Sequence, residues 1–151
     1  MTDDIFSPAD EIERRVLVVD DDPEVRTLTR AALEKGGYEV LAADTGEKAL
    51  EILNDEGLPH LAIIDIRLPG LDGLALCQKI QAISDVPVIM LTVVDDEDTI
   101  VKAIEEFAED YIIKPFNPPE LVARVGRILK RMGDFSYTLQ PVIRVDQNLS
   151  V

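Results

Sequence analysis

Apolar and polar positions follow two rhythms along this chain. Short, nearly continuous apolar runs occur at 16–19, 61–64, 86–91 and 111–113, with a weaker fifth at 38–42. Between them, apolar residues recur at helical spacing. Examples are Val25, Leu28, Ala32 and Leu33; Ala49, Leu50, Ile52 and Leu53; and Leu121, Val125, Ile128 and Leu129. Apolar runs of this length between helical stretches predict buried parallel strands. The spacing predicts strands over 15–20, 38–42, 61–65, 86–91 and 110–113. The helices begin at Pro23, after Thr45 and after Asp72, and then span 96–107 and 118–131. The punctuation agrees: Pro23 suits a first helical position, Gly36-Gly37 stops a helix, and Asp22, Thr45 and Asp72 are N-caps. Leu68-Pro69-Gly70 breaks the chain between the third strand and third helix. Strict alternation of strand and helix predicts an α/β fold, a doubly wound five-stranded parallel sheet with five helices and right-handed crossovers.

Residues 1–14 read as a flexible acidic N-terminal extension and 15–131 as a single domain. Residues 132–151 change character. Tyr137 to Val145 are β-formers interrupted by Pro141, which suits a linker or the clipped start of an effector domain.

Charge narrows the function. The 151 residues carry a formal net charge of −15, which argues against binding nucleic acid or anionic membranes directly. One cysteine, Cys77, excludes an internal disulfide and suits a reducing compartment. No apolar run approaches the length of a membrane span, and the start lacks a signal-peptide pattern. A cytoplasmic location is expected.

The strand ends carry the candidate chemistry. The first runs into Asp20-Asp21-Asp22, the third into Asp65, the fourth into Thr92 and the fifth into Lys114-Pro115-Phe116. In an open parallel sheet the carboxyl ends of the strands share one edge, where ligands bind. Four distant segments would then bring carboxylates, a hydroxyl and an ammonium to one pocket. Clustered carboxylates need a cation, and Mg²⁺ with its oxygen preference is the natural one. Asp65 is placed to act as a nucleophile toward a phosphoryl group, with Mg²⁺ and Lys114 on the transferring oxygens. Asp22 reads as a plain helix cap, Cys77 as core and His60 as a surface turn residue.

Val18-Val19-Asp20-Asp21-Asp22-Pro23, Ile64-Asp65-Ile66-Arg67-Leu68-Pro69-Gly70-Leu71-Asp72-Gly73, Met90-Leu91-Thr92 and Tyr111-Ile112-Ile113-Lys114-Pro115-Phe116 together resemble the receiver domain of two-component response regulators. Their order and spacing agree over about 15–131. The resemblance implies a flavodoxin-like, CheY-like fold and a phosphorylation-dependent switch that modifies only itself. Asp65 would accept the phosphoryl group from a sensor histidine kinase. Asp21, Asp65 and the backbone carbonyl of Arg67 would ligate Mg²⁺, with Asp20 acting through water. Lys114 would pair with the phosphoryl group, and Thr92 and Tyr111 would be the switch pair. The last helix resembles the winged-helix (OmpR/PhoB-type) class of transcriptional regulators, in which Asp110, Glu120 and Arg124 would lie on a homodimer face. A C-terminal DNA-binding domain would then follow outside this chain.

Three residues depart from that pattern. Phe107 replaces a usual glycine, predicting a rebuilt loop or an exposed aromatic. Val93 replaces a small residue beside Thr92, where it would crowd the phosphoryl pocket. Ile100 replaces a basic residue that would meet Glu120 across a dimer. Two other readings compete with this one. A haloacid-dehalogenase-type phosphatase needs a second acid two residues after the nucleophile, where this chain has Arg67. A constitutive pseudo-receiver would have lost Asp21, Asp65 or Lys114.

Overall fold

A computed structural model describes residues 14–93 and 97–132, without the side chains of 99, 100, 103 and 104. The acidic lead-in up to Glu13, the β-rich tail from Gly133, Asp95 and the Ile100 side chain lie outside the described residues.

Each apolar run forms a strand: β1 (Arg15–Val19), β2 (Glu39–Ala43), β3 (Leu61–Asp65), β4 (Val88–Thr92) and β5 (Asp110–Ile113). They alternate with α1 (Pro23–Lys35), α2 (Gly46–Glu56), α3 (Gly73–Ile83), α4 (Glu97–Glu106) and α5 (Pro118–Arg131). All pairings are parallel, in the order β2-β1-β3-β4-β5. The bounds fall within two residues of those expected. β4 starts later than the 86–91 run because Pro87 has no N–H for the ladder; its carbonyl still accepts from the Ala62 N–H at 3.0 Å.

The period-two alternation of side chains sorts the strands into two cores. Leu17, Val19, Ala62, Ile64, Val88 and Met90 face one way, against Ala49, Leu53, Leu76, Cys77 and Ile80 of α2 and α3. Val16, Val18, Leu61, Ile63, Ile89 and Leu91 face the other, against Leu33, Leu121, Val125 and Ile128 of α1 and α5. β3 and β4 are buried along their whole length. That explains their continuous apolar sequence: a strand covered on both faces has no polar side to show.

The caps read from the sequence are present. Asp22 accepts from the Glu24 and Val25 N–H groups, Thr45 from Lys48 and Asp72 from Ala75. Each satisfies amides that an α-helix leaves orphaned at its start. Asn117 does the same for α5, followed by Pro118 at its start. α1 ends at Gly36, and Gly37 turns the chain at φ +97°. Phe107 is partly buried against the first core, so the exposed-aromatic expectation is not what the fold adopts. Its carbonyl accepts from Gln81 Nε2. His60 is also not a bare surface residue. It is half-buried, its Nδ1 accepts the Arg15 N–H at 3.0 Å, and its own N–H donates to the Arg15 carbonyl at 2.8 Å.

Candidate functional site

The sheet order places β1 and β3 side by side with their crossovers running in opposite directions. Ligands bind outside the carboxyl ends of strands at such a switch point. Asp20 and Asp21 follow β1 there, and Asp65 is the last residue of β3. Ladder hydrogen bonds fix both strand ends: Asp20 N–H donates to the Ala43 carbonyl at 3.1 Å, and Ile66 N–H to Leu91 at 2.9 Å. The Arg26 guanidinium donates to the Asp20 carbonyl at 2.7 Å. Carboxylate oxygens of Asp20, Asp21 and Asp65 come within 4.8 Å of one another.

β5 delivers the cation. Lys114 N–H donates to the Thr92 carbonyl at 2.7 Å, carrying the β4–β5 ladder one residue past Ile113. The Lys114–Pro115 peptide is cis. The ammonium stands 2.8 Å from Asp65 Oδ2, to which it donates, and 2.9 Å from Asp20 Oδ2. The second contact is an ion pair without hydrogen-bond geometry, so Asp20 Oδ2 is buried with no donor among the described residues. Asp20 Oδ1 accepts from the Asp22 N–H at 2.9 Å, and Asp65 Oδ1 from the Arg67 N–H at 3.0 Å.

Asp20 is fully buried and Asp65 is 5% exposed. Burial pushes the Asp65 carboxyl above its ordinary range; Lys114 and the Arg67 amide pull it down, and the charge of Asp20 adds to the rise. Burial works against the Lys114 ammonium, but its contacts with the Asp20 and Asp65 carboxylates outweigh that and hold its pKa up. The causes differ: burial raises Asp65, whereas two carboxylates around one ammonium raise Lys114.

A divalent oxygen-seeking cation fits this donor set. Opposite ligands of Mg²⁺ stand about 4 Å apart, close to the spread of these oxygens, and Asp20 Oδ2 lacks a donor. Thr92 is buried beside the pocket on β4, and its hydroxyl donates to the Val93 carbonyl at 2.9 Å. Val93 itself is 40% exposed. Tyr111 on β5 is half-buried against the α2–α3 core. Asp110, Glu120 and Arg124 lie together, away from the acids. Arg124 Nη1 donates to both Asp110 oxygens at 2.9 Å, and Nη2 to Glu120 Oε2 at 3.0 Å.

Two contributors were not apparent from sequence. Gly73 packs so tightly on β3 that an added Cβ would overlap the Asp65 carbonyl oxygen. Arg26 carries only a helical position in the sequence, with nothing local to tie it to Asp20.

The response regulator receiver domain family matches residues 16–126. The chain is a response regulator receiver. It is 40% identical over 128 residues to a probable transcriptional regulator, ycf27, of Guillardia theta, covering 85% of this chain and 50% of the relative. It is 42% identical over 121 residues to the transcriptional regulatory protein CseB of Streptomyces coelicolor, covering 80% and 51%. The receiver therefore spans about half the length of these relatives. Among solved structures it is similar to a CheY-like receiver protein from Methanospirillum hungatei, with a TM-score of 0.75 and 31% identity, covering 81% of this chain and 98% of that one. It is also similar to DrrB, a Thermotoga maritima OmpR/PhoB homolog, with a TM-score of 0.71 and 36% identity, covering 80% and 54%. The receiver is a signalling module of two-component systems, with the family's acidic pocket at Asp20, Asp21 and Asp65. No helix among the described residues is long and apolar enough to cross a membrane.

Proposed function

We propose that this receiver is switched by phosphorylation of Asp65 from a sensor histidine kinase. The observation that carries the reading is the Lys114 ammonium held between Asp20 and Asp65, beside a third carboxylate. An Asp65 oxygen attacks the phosphorus of a phosphohistidine. The P–N bond breaks, the imidazole leaves, and an acyl phosphate forms. Asp21, Asp65 and the Arg67 carbonyl, with Asp20 through water, would hold Mg²⁺, which would neutralise charge at the transferring oxygens. Lys114 exchanges its Asp65 oxygen for a phosphoryl oxygen while keeping Asp20.

The modification adds charge and acceptor oxygens at one point. Thr92 can then turn its hydroxyl from the Val93 carbonyl to the phosphoryl group. That movement reaches β5, where Tyr111 repacks and reshapes the face formed by α4, β5 and α5. Asp110, Glu120 and Arg124 sit on that face, paired with one another in the single chain. An activated homodimer would re-pair them between subunits. The relatives are named as transcriptional regulators and are about twice as long. This supports a cytoplasmic protein whose receiver controls a C-terminal DNA-binding domain, with the acidic receiver itself not touching DNA.

The test is incubation with acetyl phosphate and Mg²⁺, followed by intact mass. One phosphate-sized gain, lost on chelation and in Asp65→Ala, is expected. No gain under conditions that modify another receiver would overturn the proposal.

A further inference from the structure

We propose that Glu47, on a helix that supplies none of the pocket's acids, is a positioning residue for the metal. Its carboxylate holds the loop between β3 and α3 in the shape that presents the Arg67 backbone to the pocket. This inference rests on the receiver reading above.

The loop leaves the pocket at Asp65 and returns at Gly73. Its base is closed from within: Gly73 N–H donates to the Ile66 carbonyl at 2.9 Å, and Arg67 N–H to Asp65 Oδ1 at 3.0 Å. The far side, Gly70-Leu71, is held from outside, by the start of α2. Glu47 Oε2 accepts the Leu71 N–H at 3.1 Å. The same carboxylate covers Gly70, where an added Cβ would come within 2.9 Å of it and where the backbone stands at φ +72°. One residue earlier, Gly46 lies flat against Leu71, and a Cβ there would come within 2.6 Å of the Leu71 carbonyl oxygen. An acceptor and a close backbone approach therefore grip the loop at one place.

An acid in the first turn of a helix interacts favourably with the helix dipole wherever its side chain points. Here the side chain reaches an amide 24 residues away. The physical consequence concerns order. A backbone carbonyl is a good metal ligand only when its direction is fixed beforehand; otherwise ion binding must also order the loop. Ile66 and Leu68 anchor the segment in the first core, against which Leu71 also packs. Losing the Glu47 acceptor removes an outside hold on Leu71 and loosens the loop between these anchors and Gly73.

The test is calorimetric Mg²⁺ titration of the full chain and of Glu47→Ala and Glu47→Gln, with thermal unfolding in chelator and hydrogen exchange at the Leu71 amide. Glu47→Ala is expected to weaken Mg²⁺ binding about tenfold and to speed Leu71 exchange, with the metal-free Tm nearly unchanged. Glu47→Gln keeps an acceptor and is expected to restore most of the affinity. Parent-like affinity in Glu47→Ala would overturn the inference. So would a loss that comes with general destabilisation, or one that Glu47→Gln shares in full. If the parent chain takes up no Mg²⁺, the receiver reading falls, and this inference with it.

Discussion

Asp65 is held at a cost to the fold. Burial and the neighbouring Asp20 raise its pKa above the ordinary carboxylate value. An acid whose folded pKa exceeds its unfolded one favours the folded state at low pH, where it is protonated. That advantage is lost as pH rises through the unfolded and folded values, so at neutral pH the ionised group weakens the fold. Asp65→Asn is therefore expected to stabilise the metal-free chain at pH 7 by on the order of 1 kcal/mol. The gain should shrink as pH falls toward the acid range; urea unfolding in chelator at several pH values measures it. Thr29 is a second such residue, fully buried in α1, with a hydroxyl that has no partner among the described residues. Thr29→Val replaces that hydroxyl with a methyl of similar size and is expected to add about 1 kcal/mol. A loss of stability in the same unfolding experiment would mean the hydroxyl is satisfied after all. The acids and Lys114 were legible as residues, because each ends an apolar run with a polar group that a buried strand would otherwise avoid. Thr29 was not, since a threonine at a helical position looks the same whether or not its hydroxyl finds a partner.

At the scale of elements, the junction of β3 and α3 is where, among the described glycines, an added Cβ would meet neighbouring backbone most closely. Gly73 begins α3 where an added Cβ would run into the Asp65 carbonyl and the Ile66 Cα. Gly73→Ala must push the helix off the strand or twist the strand end that carries Asp65. A cost of about 3 kcal/mol or more is expected, at the upper end for overpacking, together with weakened Mg²⁺ binding by calorimetry. Unchanged stability and affinity would show that the junction can relax. Strands and helices were legible at this scale because burial on two faces writes continuous apolar runs, and one-sided burial writes helical periodicity. Gly73 was visible only as the end of a motif. Arg26, Glu47 and the Gly46–Leu71 approach were hidden for a related reason. Each depends on two segments meeting, and neither segment's own sequence records the meeting.

For the molecule as a whole, the pH response has an identifiable contributor at the edge opposite the pocket. His60 joins the starts of β1 and β3, and its Nδ1 can accept the Arg15 amide only while unprotonated. Burial, with Arg14 and Arg15 nearby, lowers its pKa below 6.5. The unfolded chain therefore binds this proton more readily than the folded one, and the histidine's contribution is complete above pH 6.5 and lost as pH falls below it. Tm is expected to drop between about pH 7 and pH 5, and to drop less in His60→Gln. An equal drop in both would remove His60 as the cause. Nothing in the residues around His60 signals burial, because its partner is 45 residues away. The doubly wound parallel sheet was legible from alternation; the order β2-β1-β3-β4-β5 was implied only by the family resemblance.

In the proposed switch Asp65, among the pocket's three acids, carries the phosphoryl group. The most direct measurement is to treat the wild-type chain with acetyl phosphate and Mg²⁺, reduce any acyl phosphate with borohydride, and locate the reduced residue by peptide mass mapping. A single reduced site at Asp65, absent when Mg²⁺ is chelated, is expected. Reduction at Asp20 or Asp21, or at several carboxylates without regard to Mg²⁺, would contradict it.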